Sequence, residues 1–242
     1  MITRRYKIAD KVVEINSIYS DVHTYCKDYI SNEKQDYNVT ITQDDINFER
    51  YKSEQEDIKE GIKIRNFSDR YLEELAVYRK ISDKMIEYDT MLFHGSVVAV
   101  DGEAYLFTAK SGTGKSTHTR LWKKYFGERA VMINDDKPLI HIDKECRVYG
   151  TPYNGKHGIG NNISAPLKSI CILERSKSNK IIQISKTEAY SMLMQQVYRP
   201  CNPDKLERVM FLVDKLAECI KLYRLGCNMD LKAVEIAYNR MK

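Results

Sequence analysis

The chain has 242 residues, 43% of them hydrophobic and 30% charged, and a formal net charge of +5. These values fit one packed globular unit, or a core with a small appendage. They argue against nucleic acid as a partner, because Lys and Arg are scattered among acids rather than gathered into a basic stripe.

Residues 1 to about 65 are weakly patterned. "MITRRYKIADKVVEI" lacks the continuous apolar segment of a secretory signal, and no run in the chain approaches the ~18 apolar residues that span a bilayer. "KVVEI" and "YNVTI" have the composition of short strands, and "ITQDDINFERYKSEQEDIKEG" reads as a charged surface helix with loops. Ser68 is an N-cap candidate for the helix in "SDRYLEELAVYRKISDKMIEYDT". Tyr71, Leu75, Tyr78, Met85 and Ile86 recur there at helical spacing and are expected in the core.

From residue 91 the texture changes. "MLFHGSVVAV" and "EAYLFTA" are strand-like and joined by Asp101-Gly102, a dipeptide suited to a tight hairpin. "STHTRLWKKYF" continues as a helix that Gly127 ends, and "AVMIN" is a buried strand with Asp135 and Asp136 at its end. "LIHIDKECRVYG" reads as a hairpin, and "LKSICILE" and "IIQIS" as strands. Ser185 and Glu188 form a capping box, Asn202-Pro203 opens a further helix, "IKLYRLG" is a last strand, and "DLKAVEIAYNRMK" is a closing helix. The cysteines (26, 146, 171, 201, 219 and 227) never form C-x-x-C and sit among apolar neighbours. They are expected as buried free thiols of a reducing cytoplasm, with no structural zinc site.

The strand "EAYLFTA" runs directly into "KSGTGKST". Gly112 and Gly114 open backbone conformations that let successive N–H groups turn inward, and the following helix adds the positive end of its dipole. Ser111, Gly112, Thr113, Gly114, Lys115, Ser116 and Thr117 therefore read as a nucleotide-binding loop for ATP. Lys115 would reach the β- and γ-phosphates and the Ser116 hydroxyl a Mg2+ ion. Ala109 stands where the usual pattern has its first glycine, upstream of the cradling amides. Neighbours on a strand point to opposite faces, so Asp135 and Asp136 have unlike roles. One would sit by the metal and the other would take a proton from an incoming hydroxyl. His94, ahead of the hairpin, is a third candidate.

Together these motifs resemble the HPr kinase/phosphorylase family and its relative, ATP-dependent phosphoenolpyruvate carboxykinase. His94-Gly95, the loop 111–116 and Asp135-Asp136 match that family's His-Gly, S-G-x-G-K-S and Asp-Asp elements in order and approximate spacing. The likeness covers roughly residues 91–175. It implies an α/β HPr-kinase-like P-loop fold with a mixed sheet and a catalytic core over 87–242; in place of the family's separate N-terminal domain the chain has a shorter α/β region over 1–86, expected to pack on the core. It further implies catalytic roles for His94, Lys115, Asp135 and Asp136, with Asp136 as general base and Asp135 beside the Mg2+. The family's glutamate is absent, since Gly155 occupies its place, and Lys156, His157 and Arg199 are candidates for substrate contacts. The function so implied is a cytoplasmic ATP- and Mg2+-dependent kinase acting on an alcohol, either a serine of a small protein or peptide or a small hydroxyl metabolite. Self-association is implied by analogy, and neither membrane nor nucleic acid is expected. A nucleotide-binding module without catalysis is the alternative.

Overall fold

A computed structural model describes residues 1–155 and 158–242. The chain divides into two compact units, Met1–Lys84 and Met85–Lys242.

In the first unit, strands β1 (Ile2–Ile8) and β2 (Lys11–Ser17) form an antiparallel hairpin, and β3 (Tyr37–Thr40), reached through helix α1 (Asp21–Tyr25), joins β2 in parallel. Strand β1 is not anticipated from sequence. Its turn places Ala9 and Asp10 at positive φ, 49° and 60°, without the glycine that usually marks such a hairpin. Helices α2 (Gln43–Glu60) and α3 (Asp69–Met85) follow. Helix α2 starts on a capping box between Thr42 and Asp45. On α3 the buried face is Leu72, Ala76, Val77, Ile81 and Met85, whereas Tyr71 is 43% exposed and Leu75 and Tyr78 are half-buried. The expected stripe is thus rotated: Tyr71 stands on the rim with an apolar body and a polar tip, and Tyr78 sits beside the buried face with its hydroxyl enclosed.

The second unit is mixed α/β. Its strands are β4 (Thr90–Leu92), β5 (Ser96–Val100), β6 (Glu103–Thr108), β7 (Ala130–Asn134), β8 (Leu139–Ile142), β9 (Cys146–Tyr149), β10 (Ser164–Arg175), β11 (Lys180–Gln183) and β12 (Lys221–Cys227). The helices are α4 (Lys115–Phe126), α5 (Lys186–Gln196), α6 (Pro203–Cys219) and α7 (Leu231–Met241). Strand β10 organises the sheet. Its first residues pair antiparallel with β9, extending the β4-β8-β9 meander, and its later residues lie parallel between β6 and β12. The register slips between Leu167 and Ser169 as the strand passes from one set of partners to the other.

Alternation along β6 sorts the two layers. Ala104 and Leu106 pack with α5 and α6 through Leu193, Val209 and Leu212, while Tyr105 and Phe107 pack with α4 and α7 through Trp122, Val234 and Ala237. The run "MLFHGSVVAV" does not form one strand. It breaks at 93–95, with β4 pairing β8 and β5 crossing to lie between β6 and β7. Three cysteines also depart from expectation: Cys201 and Cys219 are exposed and Cys227 is half-buried. The first two flank helix ends, at the turn before α6 and at its last residue, where a helix meets solvent. Among the described residues no helix is long and apolar enough to cross a membrane.

Leu106, on the central strand β6, is fully buried. Leu106→Ala is expected to lower unfolding free energy by about 3 kcal/mol, the usual cost of a large-to-small change with a residual cavity. Urea denaturation followed by circular dichroism checks it.

Candidate functional site

Strands β6, β10 and β12 are mutually parallel, and β5 is antiparallel to both β6 and β7. The C-terminal ends of β6, β7, β10 and β12 therefore share one edge with the start of β5. Ligands of open α/β sheets gather at such an edge. The glycine loop leaves β6 there, Asp135 and Asp136 leave β7, and His94 and Gly95 lead into β5.

The glycine loop carries Gly112 at φ 74° and Gly114 at φ 120°, conformations that a side chain strains. Thr113 closes a turn on Lys110, its N–H donating to the Lys110 carbonyl at 3.2 Å and its hydroxyl at 2.8 Å. Arg175, at the end of β10, grips the loop from outside by donating to the carbonyls of Gly112 and Thr113. In a trans peptide the N–H points opposite to the C=O, so this grip turns the amide of Gly114 away from Arg175. The amides of Gly112, Gly114, Lys115 and Ser116 have no acceptor among the described residues, and neither does the Ser116 hydroxyl have a partner there. Four donors at a helix start make a ready anion seat. Ser111 is exposed, and Thr117 is half-buried at the first turn of α4.

Lys115 reaches only the Ala109 carbonyl, at 3.4 Å. Burial pulls its ammonium below the ordinary lysine value, and the carboxylates of Asp136 and Asp135 pull the other way. Burial wins, so the charged Lys115 is a standing cost to the fold until an anion meets it.

The two aspartates differ. Asp135 is 5% exposed and accepts a hydrogen bond from Ser96 at 2.8 Å; Ser96 is bonded in turn to Thr119 on α4. Asp136 is partly open and meets His94, whose Nε2 lies 3.2 Å from its Oδ1. Burial tends to raise the Asp136 pKa, but the His94 hydrogen bond and the Lys137, His94 and Lys115 charges outweigh it, so the net shift is downward. Its contribution to folding is accordingly present above pH 3.8 and lost as pH falls through the lowered value.

The backbone holds this pair in place. Phe93 N–H donates to the Pro138 carbonyl at 3.1 Å and Gly95 N–H to the Asp136 carbonyl at 3.0 Å, which brackets His94 against the 136–138 turn. That turn is itself held by the Asn134 side chain, which accepts from the amides of Asp136 and Lys137 and donates to Thr151. Asn134 and Ser96 are thus positioning residues that motif reading passes over. The only trace of either in the sequence is its place beside a motif.

Gly155 lies against Asp136: a Cβ there would stand 3.2 Å from the Asp136 Cβ. No third carboxylate is present at that point, and among the described residues no group of three His, Cys, Asp or Glu side chains is placed to hold a metal ion. Asp135, with one carboxylate oxygen engaged by Ser96, and the free hydroxyl of Ser116 fit a Mg2+ that takes most of its oxygens from phosphate and water. Lys156 and His157 lie outside the described residues. Arg199 is exposed and has no partner among the described residues. The antiparallel pairing of Phe93 with Val197, and of His94 N–H with the Gln196 carbonyl, carries Arg199 away from His94. The structure thus brings together His94, Lys115, Asp135 and Asp136 but gives Arg199 no contact with them.

The family model described as "ScmC: SynChlorMet cassette protein ScmC" matches residues 63–208, more than half of the chain. The chain belongs to the ScmC family. No curated protein matches it. Among solved structures, the Hpr(Ser) kinase/phosphatase from Coxiella burnetii is similar over 62% of this chain and 95% of that one, at 8% identity and a TM-score of 0.33. A likeness that loose does not bear on activity.

This ScmC-family chain also has a cavity of about 820 Å³ on the far side of the glycine loop from the aspartates' strand. Its wall comes from the loop and α4 (Gly112, His118, Leu121), the end of β10 (Leu173, Arg175) and the end of β12 (Met229). One end is polar loop backbone, and elsewhere Leu121, Leu173, Cys227 and Met229 share the wall with Glu174, Lys177 and Asn228, a mix of apolar faces and a few polar groups that suits a small-molecule pocket.

Because Lys115 is charged and desolvated without a full partner, Lys115→Met in the ScmC-family protein is expected to raise the apo melting temperature. Inorganic tripolyphosphate is expected to stabilise the wild type, by about 2.7 kcal/mol at 100 times its Kd, and to leave the variant unshifted. Differential scanning calorimetry with and without the anion measures both.

Proposed function

We propose that the protein is a Mg2+- and ATP-dependent phosphotransferase that moves the γ-phosphoryl group to an alcohol oxygen, on an HPr-kinase-like P-loop fold. The observation that carries this reading is the joint placement, on one sheet edge, of four free loop amides, a desolvated ammonium at Lys115 and the His94–Asp136 pair. The first two suit a polyphosphate, and the third suits a hydroxyl arriving beside its end.

Phosphoryl transfer passes through a loose transition state, so positioning and charge neutralisation supply most of the acceleration. The loop amides hold the phosphates, and Lys115 draws charge from the terminal group. Mg2+, held by Ser116 and Asp135, would neutralise further negative charge. Asp136 accepts the proton of the acceptor hydroxyl as that oxygen bonds to the γ-phosphorus, while the bond from phosphorus to the bridging oxygen breaks and ADP leaves. With its pKa held low, Asp136 is a weak base. It takes the proton late, once the forming O–P bond has acidified the hydroxyl. His94 fixes the carboxylate's orientation. The acceptor class is a serine of a protein or peptide, or a small hydroxyl metabolite.

A nucleotide-binding module without turnover is the second reading, and Gly155 in place of an acid favours it. The assay is transfer from γ-labelled ATP with Mg2+ to a panel of serine peptides and hydroxyl compounds. Asp136→Asn is expected to lower kcat by about 10²- to 10⁴-fold, the range for loss of a general base, with ATP affinity nearly unchanged. A wild type that binds ATP and transfers to no acceptor supports the second reading instead.

A further inference from the structure

Helix α4 continues from the glycine loop past His118, a residue 3% exposed that forms part of the wall of the 820 Å³ cavity. Its Nε2 lies 3.0 Å from the indole Nε1 of Trp122, which can only donate. His118 Nε2 is therefore the acceptor, and the neutral ring carries its proton on Nδ1. That Nδ1 has no hydrogen-bond partner among the described residues. The ring stays neutral at ordinary pH, since burial alone lowers its pKa to about 4. A buried N–H donor without an acceptor is uncommon in folded proteins and is a standing cost unless a ligand meets it.

The surroundings indicate which ligand. Leu121, Leu173 and Met229 offer apolar surface for a flat ring in a wall they share with Glu174, Lys177 and Asn228, and Gly112 and Gly114 place the phosphate seat at the same cavity. A nucleoside triphosphate with its phosphates in the loop leaves its base on this side. We propose that His118 is the base-reading residue of the nucleotide site, its Nδ1–H donating to a ring acceptor of the nucleobase. This rests on the nucleotide reading of the loop, though not on turnover. The ring of Phe107 stands edge-on to His118 at a centroid distance of 4.7 Å, so a purely structural N–H contact to that ring is the competing role.

Two substitutions separate these roles. A glutamine side chain can place an acceptor near Nε2 and retain the Trp122 bond, but it has no donor at the Nδ1 position. Asparagine does the reverse. His118→Gln is expected to weaken ATP binding about tenfold, the upper range for loss of one neutral hydrogen bond. Its affinity for inorganic tripolyphosphate is expected to stay at the wild-type level. His118→Asn is expected to melt at a lower temperature yet keep ATP affinity within about threefold of wild type. ATP analogues in which N1, N3 or N7 is replaced by carbon then identify the atom read: one of them is expected to bind wild type about tenfold more weakly and His118→Gln no more weakly than ATP does. Isothermal titration calorimetry supplies each value. Equal ATP affinity in wild type and His118→Gln, or wild-type affinity for tripolyphosphate equal to that for ATP, overturns the base-reading role. Loss of tripolyphosphate binding from the wild type would instead fail the nucleotide reading of the loop, and a transfer-inactive wild type that still shows the His118 pattern would fail only the kinase reading.

Discussion

An ammonium group withdrawn from water, facing two carboxylates across the start of a strand, is the constraint around which the second unit is arranged. Lys115 on α4 and Asp135-Asp136 after β7 belong to strands separated in the sheet by β5. Bringing them within electrostatic reach requires β5 to run opposite to β6 and β7, so that three chain segments meet on one edge. Ser96, the first residue of β5, then bridges Asp135 to Thr119 on α4. The same crossing presses His94 onto Asp136. One topological choice thus supplies the anion seat, the buried carboxylate and the paired carboxylate.

The edge has two sides with different chemistry. On the aspartate side the groups are ionic, with His94 and Asp136 partly exposed, fit for a hydroxyl and for charge that moves. On the β10 and β12 side Leu121, Leu173 and Met229 are interleaved with Glu174, Arg175, Lys177 and Asn228, and His118 brings a donor without an acceptor among the described residues. The loop lies between, and Arg175 fixes its outward carbonyls from the second side. The anion seat and the apolar side chains of the cavity thus adjoin at the loop, which suits a ligand with a polyphosphate at one end and a heteroaromatic ring at the other. Membership of the ScmC family rests on the family model's match across residues 63–208 and does not itself name an activity.

Much of this was legible in the residues, and the reasons differ by element. Gly112, Gly114 and the strand preceding them mark a loop because few backbones accept those dihedral angles. The hairpin at Asp101-Gly102 and the caps at Ser185 and Asn202 were equally plain, being local side-chain-to-backbone chemistry. The β1–β2 hairpin was not, since Ala9 and Asp10 carry positive φ without a glycine to announce it. The stripe on α3 is rotated from the sequence pattern because Tyr71 keeps its hydroxyl end in water, while Leu72, Ala76 and Val77, which the aromatic spacing passes over, take the buried face. Strand order and the break at His94 depend on contacts distant in sequence, notably Gly95 with Asp136 and Phe93 with Pro138. Asn134 and His118 could not be found by motif, for their importance lies in which neighbours fail, or manage, to satisfy them.

A structure of the protein with Mg2+ and a non-hydrolysable ATP analogue tests the central claim most directly. The account expects the terminal phosphorus between the Lys115 ammonium and the Asp136 carboxylate, with the loop amides on the phosphates and the base against His118. A triphosphate bound elsewhere, or bound in the loop with its terminal group turned away from Asp136, would contradict it.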